Sequence, residues 1–199
     1  MTRLSYPEAA RALLRDSLLD SASDRLAERP WGEVTMADVA RGAGVSRQTL
    51  YNEFGARDEL ALALILREGE RLLSGVEQAV IAHREEPAEA LRAAFELFLL
   101  AAEENPLIRT IATGDGSDGL LALVTTQGRP VLSFATDRLG GFLHESWPAV
   151  ARADADAVAE IAVRLAISHA ALPTGSAADT AAVVARALGP HLRALVDCA

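Results

Sequence analysis

Apolar residues recur along most of this chain at the three-to-four-residue spacing of helical faces, and no alternating, strand-like pattern stands out. The first such segment runs from Pro7 to Glu28. Residues 57–82 form one long pattern that begins apolar on every side, which is typical of a helix wedged between two packed units. Four further patterns complete the series, over residues 87–104, 130–146, 154–172 and 177–196. The chain is therefore predicted to be all-α, with a bend or break at Gly189-Pro190 in the last helix.

Composition indicates the size of the core and the surroundings of the protein. Half of the 199 residues are apolar, so one compact unit, or a small head fused to a larger body, can build a sizeable core. The single cysteine, Cys198, cannot form an internal disulfide, which favours a reducing setting. The N-terminal residues lack the features of a signal peptide, and no run of about 18 uncharged apolar residues predicts a membrane span. We therefore expect a cytoplasmic protein without a membrane partner.

Two short helices are predicted between residues 35 and 54, joined by a tight turn. Thr35 caps the first, with Asp38 three residues later in a capping-box arrangement, and Ser46 caps the second. Gly44 in the turn can adopt the positive φ that the connection requires. Helices of about two turns are not stable alone, so the flanking long helices must hold them. This arrangement predicts a helix-turn-helix whose second helix enters the major groove of DNA.

The second of these short helices has an apolar side and a polar side. Leu50 and Phe54 are spaced to point into the protein. Backbone N–H groups at the Ser46 end of the helix favour a phosphate. The first turn of a recognition helix is the part that meets base edges. The polar residues that this helix is predicted to present to DNA are Arg47, Gln48, Thr49 and Asn52.

Several stretches of this region resemble the DNA-binding head of the TetR (tetracycline-repressor) family. The resemblance spans residues 11–66 and is strongest in Val-Thr-Met-Ala-Asp-Val-Ala at 34–40, Ala-Gly-Val-Ser-Arg-Gln-Thr-Leu-Tyr at 43–51, Phe54, and Arg-Asp-Glu-Leu at 57–60. It implies a three-helix DNA-binding domain at 1–56 and a helical bundle for ligand binding and dimerisation at 57–199. It also implies a homodimer on double-stranded operator DNA, with repression relieved by a small-molecule effector.

The resemblance also implies roles for residues of the head. Thr35 and Tyr51 resemble phosphate contacts of the family, and Arg57 stands where the family often has a lysine that touches a phosphate. The base-reading group of the family is matched by Arg47, Gln48 and Thr49. Glu53 departs from the family pattern, so its carboxylate is expected to face away from phosphate or to weaken DNA binding. Ala56 replaces a frequent capping serine.

The acidic charge of the chain is compatible with functions other than DNA binding. The formal net charge is -9, which by itself argues against nucleic acid. Residues 1–55 hold seven arginines and eight acidic residues, so the head is nearly neutral and the body carries most of the negative charge. One alternative is a helical interaction module that has lost DNA binding. The other is a helical-bundle enzyme, although no nucleophile, base or metal cluster has a recognisable spacing.

A small-molecule pocket among the body helices is a further implication of the resemblance. Apolar and aromatic residues on these helices are first of all core residues, and some of them are expected to line the pocket. The candidates are Phe95, Phe98, Leu99, Phe134, Phe142, Trp147 and His169, the last of which also suits a core or interface position. Because few charges interrupt these stripes, an apolar or weakly polar ligand is expected, and Arg92, Arg109 or Arg138 could anchor a carboxylate at the mouth.

The last two predicted helices carry small and aliphatic residues that allow helices to approach closely. In the family, the corresponding helices pair across the dimer as a four-helix bundle. The residues expected at this interface are Leu165, Ala166, Ala181, Val184, Ala185 and Leu188. Packing within the chain is the alternative interpretation of the same residues.

Two remaining patterns do not point to a cofactor. Residues 114–119 read Gly-Asp-Gly-Ser-Asp-Gly, but no strand is predicted before them and two aspartates would face a bound pyrophosphate. A flexible loop is expected there. The four histidines have no spacing typical of a metal site. The sequence therefore predicts neither a cofactor nor a metal ion.

Overall fold

Helices make up the regular structure of this protein, as the hydrophobic periodicity predicts. The structure is a computed structural model that describes residues 5–113, 119–124 and 126–197. A short 3₁₀ helix covers Trp31–Glu33. The α-helices are α1 (Tyr6–Glu28), α2 (Met36–Gly42), α3 (Arg47–Phe54), α4 (Arg57–Ala82), α5 (Pro87–Glu104), α6 (Pro106–Thr113), α7 (Leu120–Val124), α8 (Arg129–Ser146), α9 (Arg152–Ala171) and α10 (Ala177–Asp197). No strand occurs within the described ranges, and the predicted all-α class is confirmed.

The N-terminal head is built around a hydrophobic cluster that joins α1, α2, α3 and the first turns of α4. Leu18, Val39, Leu50 and Leu60 have no exposed surface in this cluster. Ser21 on α1 donates a hydrogen bond of 2.9 Å to the carbonyl oxygen of Val39 on α2, so its buried hydroxyl is paired. Burial in this cluster supplies the stability that helices as short as α2 and α3 lack alone.

The C-terminal body packs α5 against α10 and α8 against α9, with α4 in contact with both pairs. Alanines such as Ala90, Ala159 and Ala181 are completely buried in its hydrophobic cluster and allow the helices to approach closely. Gly189 on α10 shows how close this approach is, because a Cβ atom at that position would lie 2.8 Å from the Cβ atom of Ala88 on α5. The body core is therefore set by small side chains at helix crossings.

The short helices α6 and α7 join the two hydrophobic clusters. Leu107 and Ile111 of α6 and Leu120 of α7 are buried in the head cluster, while α6 also packs against α5 and α9 of the body. The head cluster extends along α4 as far as Ile65. The domain division at residue 56 thus falls at the start of a helix that both clusters share, and it stays a prediction.

The structure adds α6 and α7, which the sequence analysis did not predict. Asn105-Pro106 ends α5 as predicted, but the same two residues also begin α6. The side-chain oxygen of Asn105 accepts hydrogen bonds from the backbone N–H groups of Leu107 at 2.9 Å and Ile108 at 3.3 Å. Asparagine as a cap followed by proline is a strong start signal for a helix, and this is the signal that the sequence analysis missed.

The sequence predicts a bend or a break at Gly189-Pro190, and the break does not occur, since α10 continues through both residues. Proline removes one backbone donor, which leaves the carbonyl oxygen of Arg186 without its helical partner. Arg186 and Pro190 are both exposed, so water can satisfy that oxygen. The buried Gly189 meanwhile faces α5.

The residues predicted for the dimer interface lie against the body of their own chain. All six are buried or half-buried: Leu165, Ala166, Ala181, Val184, Ala185 and Leu188. Their small side chains serve the packing of α9 and α10 within the chain, with α5 as the main partner of α10. Packing within the chain was the alternative interpretation of these residues, and their place at a dimer interface stays a prediction.

Two parts of the sequence analysis fall outside the described residues, namely Cys198 and positions 114–118 of the glycine-rich pattern. Among the helices that the structure describes, none is both long enough and apolar enough to cross a membrane.

Candidate nucleic-acid interface and ligand cavity

The turn between α2 and α3 has the geometry that the sequence predicts. Gly44 has a φ of 69°, a left-handed conformation in which a side chain would be strained. The Ser46 hydroxyl accepts a hydrogen bond of 3.0 Å from the backbone N–H of Thr49 and caps α3. The hydroxyl oxygens of Ser46 and Thr49 are 2.8 Å apart. Both residues therefore fix the start of α3.

The exposed side of α3 carries the polar face predicted to meet DNA. Its exposed members are Arg47, Gln48, Tyr51 and Asn52. The Gln48 amide nitrogen donates a hydrogen bond of 2.8 Å to the Asn52 side-chain oxygen, which aligns the two amides along the helix. Arg47 makes no hydrogen bond or ion pair with the part of the chain that the structure describes. Guanidinium, amide and phenol groups of this kind can reach base edges and phosphates.

Two residues that are predicted to contact phosphate, Thr35 and Arg57, make contacts with other residues of the head. The Thr35 hydroxyl accepts a hydrogen bond of 3.2 Å from the backbone N–H of Asp38 and donates one of 2.7 Å to the Asp38 carboxylate. This side-chain hydrogen bond from Thr35 is the main cause that lowers the pKa of Asp38 to about 2. Arg57 donates a hydrogen bond to the Trp31 carbonyl oxygen, and its guanidinium lies 5.0 Å from the centroid of the Trp31 ring. Arg57 is thus directed at Trp31, so its predicted role at a phosphate has no support from this geometry.

Glu53 points away from the exposed face of α3, toward α1. Its side chain is only 8% exposed and accepts hydrogen bonds from Arg11 at 2.9 Å and Arg15 at 3.1 Å. The guanidinium of Arg15 also lies 4.5 Å from the centroid of the Phe54 ring. The two arginines, four residues apart on α1, therefore neutralise the one acid of α3 and fasten that helix to α1. The sequence analysis did not single out these arginines, although their spacing was visible.

An inner cavity of about 170 Å³ lies in the body between α4, α5, α6, α8 and α9. Its walls are apolar, and Glu68 of α4 is the one ionisable side chain among its described lining residues. The Glu68 carboxylate accepts hydrogen bonds from Arg71 at 2.9 Å and from the Asn105 side chain at 3.2 Å. Because the protein already satisfies this carboxylate, the cavity offers a bound molecule mainly apolar contact.

Four of the side chains predicted for the pocket line the inner cavity, namely Phe95, Phe98, Phe134 and Trp147. Phe142 does not line it and is half-buried against the body cluster. The sequence analysis missed the large contribution of α4, whose apolar face from Ile65 to Val80 forms one wall. An apolar helix face predicts burial but does not reveal whether the buried surface meets another helix or a cavity.

The two other predicted residues, Leu99 and His169, line a separate outer cavity of about 240 Å³. This cavity lies where the C-terminal ends of α5 and α9 meet the starts of α6 and α10. Arg109, suggested as a carboxylate anchor, also lines it. The other two suggested anchors are paired within the body: Arg92 binds Glu89 and Glu96, and Arg138 binds Glu77 at 2.7 Å.

No group of three histidine, cysteine or acidic side chains within the described ranges is arranged to hold a metal ion.

Family models match both parts of the chain. Residues 18–64, which include α2 and α3, match the model described as bacterial regulatory proteins of the tetR family. Residues 86–190 match the model described as the C-terminal domain of the bacterial tetracycline repressor. Most of the head and most of the body are thus covered, each by the model of the corresponding domain.

Individual relatives agree with the family models. The HTH-type transcriptional regulator AlkX of Mycobacterium tuberculosis is 39% identical over 188 residues, which are 94% of this chain and 89% of that protein. The crystal structure of a TetR-family repressor, also named AlkX, from a Dietzia species superposes with a TM-score of 0.81 at 35% identity, covering 90% of this chain and 98% of the other. That repressor is implicated in the biodegradation of n-alkanes. The structure of RolR without ligand has a TM-score of 0.64 at 18% identity, covers 92% of this chain and 96% of its own, and shows the fold alone.

Proposed function

The chain belongs to the TetR family of bacterial transcriptional regulators, and we propose that it is a repressor which an apolar effector releases from a near-palindromic operator. The observation that carries the proposal is the combination of an exposed polar face on α3 with an apolar cavity in the body. The first suits DNA and the second suits a small molecule.

DNA binding is proposed to use the exposed face of α3. Gln48 and Asn52 present hydrogen-bonding groups suited to base edges, and Arg47 brings a positive charge that the described residues leave unpaired. Tyr51 is 40% exposed, which suits a hydroxyl contact with phosphate. Ser46 and Thr49 are proposed to act mainly through the cap that orients this face. Two such heads in a dimer would enter successive major grooves about 34–36 Å apart.

The homodimer is proposed to form through the outer faces of α9 and α10. Ile161 on α9 is 48% exposed and Val183 on α10 is 52% exposed. Beside them on α10 lie further exposed small residues, which are Ala178, Ala182, Ala187 and Ala194. We propose that these small and apolar residues, with the exposed Asp179, Arg186 and Arg193 among them, pack against their copies in a four-helix bundle, with each patch meeting itself across a twofold axis.

The effector is proposed to be hydrocarbon-like. The inner cavity gives apolar contact on all sides except at Glu68, whose carboxylate is already paired. A related repressor from a Dietzia species is implicated in n-alkane degradation. An alkyl chain would gain the free energy of leaving water and would leave no polar group of its own unpaired in such a cavity.

A route from the cavity to the head runs through α6. Leu107 and Ile111 line the inner cavity and also belong to the head cluster. A molecule that fills the cavity therefore presses on side chains that hold the head in place. We propose that the filled cavity favours a head position that fits DNA poorly, so that effector binding and operator binding oppose each other.

The two alternative functions are less well supported. The family and the relatives are transcriptional regulators and not enzymes, so the helical-bundle enzyme is set aside. An interaction module without DNA binding was motivated by the acidic charge of the chain and by Glu53. Since Arg11 and Arg15 neutralise Glu53, that residue no longer favours the interaction module.

A regulator of bacterial genes acts on the chromosome, and we accordingly place this protein in the cytoplasm.

The proposed function is tested by selecting binding sites for the purified protein from randomised duplex DNA, at low and at moderate salt. We expect a near-palindromic site and an affinity that falls steeply with salt. Recovery of no sequence above background at low salt would instead support the interaction module.

Variants of α3 connect the selected site to the proposed surface. Gln48→Ala should weaken binding to that site roughly five- to a hundredfold and relax the preference at one base position. Tyr51→Phe, which removes only the hydroxyl, should weaken binding to all sequences alike. Arg84→Ala serves as the control, because Arg84 is an exposed cation just beyond the far end of the 26-residue α4, a helix about 39 Å long whose first turns belong to the head. Equal losses in all three variants would contradict a specific role of α3.

A further inference from the structure

The inner and outer cavities of the body are neighbours. Ile108 of α6 and the adjacent Ala170 and Ala171 of α9 line both of them. The two spaces thus share one isoleucine and two alanines in their walls. This adjacency allows one elongated molecule to be considered for both spaces.

The outer cavity differs from the inner one in chemistry. Glu103, Arg109, His169 and Thr180 bring a carboxylate, a guanidinium, an imidazole and a hydroxyl to its wall. His169 is half-buried and makes no hydrogen bond or ion pair with the residues that the structure describes. An imidazole ring offers a donor or an acceptor at either nitrogen, and the threonine hydroxyl offers both. A polar group in this cavity would therefore find hydrogen-bond partners that the inner cavity lacks.

We propose that the outer cavity binds the polar end of the effector while its apolar chain fills the inner cavity. The ligand class is an alkyl chain that carries one terminal oxygen group, such as a hydroxyl or a carboxylate. The proposal rests on the proposed function, since it refines the effector of the same site. An unsubstituted alkane would leave the outer polar groups to water. A chain with a terminal oxygen would satisfy them and keep its own oxygen paired.

The experiment measures binding of octane, octanol and octanoate to the full-length protein by titration calorimetry. The variants are His169→Ala and Thr180→Val, the second of which keeps the shape of the side chain. His191→Ala is the matched control, because His191 is exposed on α10 and lines neither cavity. Octane binding reports on the fold and on the inner cavity in every variant.

We expect at least one of the two oxygenated chains to bind the wild type as tightly as octane or more tightly. His169→Ala or Thr180→Val should weaken that ligand about tenfold and leave octane unchanged, while His191→Ala should change neither. The ratio of octanol to octanoate affinity then shows whether the end group is neutral or anionic.

Two results would overturn the proposal, and they are distinguishable. If octane binds more tightly than both oxygenated chains, or if neither variant affects those chains, the outer cavity does not bind the end group and the apolar effector stands. If none of the three ligands binds, the proposal of a hydrocarbon-like effector is itself wrong, and so is the proposed site for its end group.

Discussion

Glu53 illustrates how a single residue can have opposite meanings in the sequence and in the structure. A carboxylate on a recognition helix should repel phosphates, so the sequence alone predicts that Glu53 weakens DNA binding. In the folded head it accepts hydrogen bonds from Arg11 and Arg15 and is almost entirely buried. Its main effect is then to fasten α3 to α1, so that the exposed face of α3 keeps a fixed orientation.

This role predicts the direction of a charge-removing substitution. Glu53→Gln should weaken operator binding about three- to tenfold and lower the free energy of unfolding by about 1 kcal/mol, because the charge-assisted hydrogen bonds to α1 are lost. Glu33→Gln removes the same charge from an exposed side chain of the head that has no described partner, and it should leave stability unchanged. Fluorescence anisotropy with operator DNA and thermal unfolding measure both effects. Tighter operator binding by Glu53→Gln would show that charge repulsion outweighs positioning.

At the scale of helices, α5 and α10 of the body cross at close range. Gly189 lies where a Cβ atom would come within 2.8 Å of the Cβ atom of Ala88. Replacing a glycine inside a helix by alanine normally stabilises a protein by about 0.5–1 kcal/mol. At this crossing the added methyl group has no room, so packing rather than helix propensity decides the sign.

Gly189→Ala should therefore lower the free energy of unfolding by about 1–3 kcal/mol, measured by urea denaturation. Gly69→Ala is the matched control in the interior of α4, where the nearest atom, on Phe134, would be 3.9 Å from the new Cβ. That variant should be neutral or slightly stabilising. Adding Ala88→Gly to Gly189→Ala should restore part of the loss. Equal free energies of unfolding for Gly189→Ala and Gly69→Ala would show that the crossing of α5 and α10 has room for the added methyl group.

Helix positions were predictable where local chemistry fixes the ends. The ends of α4 at Arg57 and Ala82 follow from helix-breaking residues on either side of the helix. The caps at Thr35 and Ser46 follow from the preference of threonine and serine for the start of a helix. The start of α6 was missed because Asn105-Pro106 carries a stop signal and a start signal in the same two residues.

Tertiary packing was less predictable than the helices themselves. Apolar residues of α10 occur both on its buried side, as at Ala181 and Val184, and on its exposed side, as at Ala182 and Val183. Periodicity alone does not reveal which of them meet α5. Periodicity alone therefore did not settle whether the residues predicted for the dimer interface pack within the chain or across a dimer. The same limit applied to Arg57, whose partner Trp31 comes close only in the folded head. Contacts between distant parts of the chain depend on geometry that a local pattern does not contain.

At the scale of the whole molecule, dimerisation and DNA binding depend on each other. Val183→Arg places a charge on the exposed outer face of α10 and should yield a folded monomer, as measured by sedimentation equilibrium. Because two heads must bind together, its operator affinity should fall at least a hundredfold. Leu100→Arg changes a residue of similar exposure on α5, and this variant should stay dimeric. A dimeric Val183→Arg protein would place the interface elsewhere.

The proposed function requires that one apolar molecule in the body cavity releases DNA from the heads. The most direct measurement is the operator affinity of the wild-type dimer with and without saturating octane or octanol, alongside Ala135→Phe, which fills part of the inner cavity. A bound ligand should weaken operator binding about five- to a hundredfold in the wild type and have little effect on Ala135→Phe. An unchanged operator affinity, with ligand binding to the wild type verified by calorimetry, would contradict it.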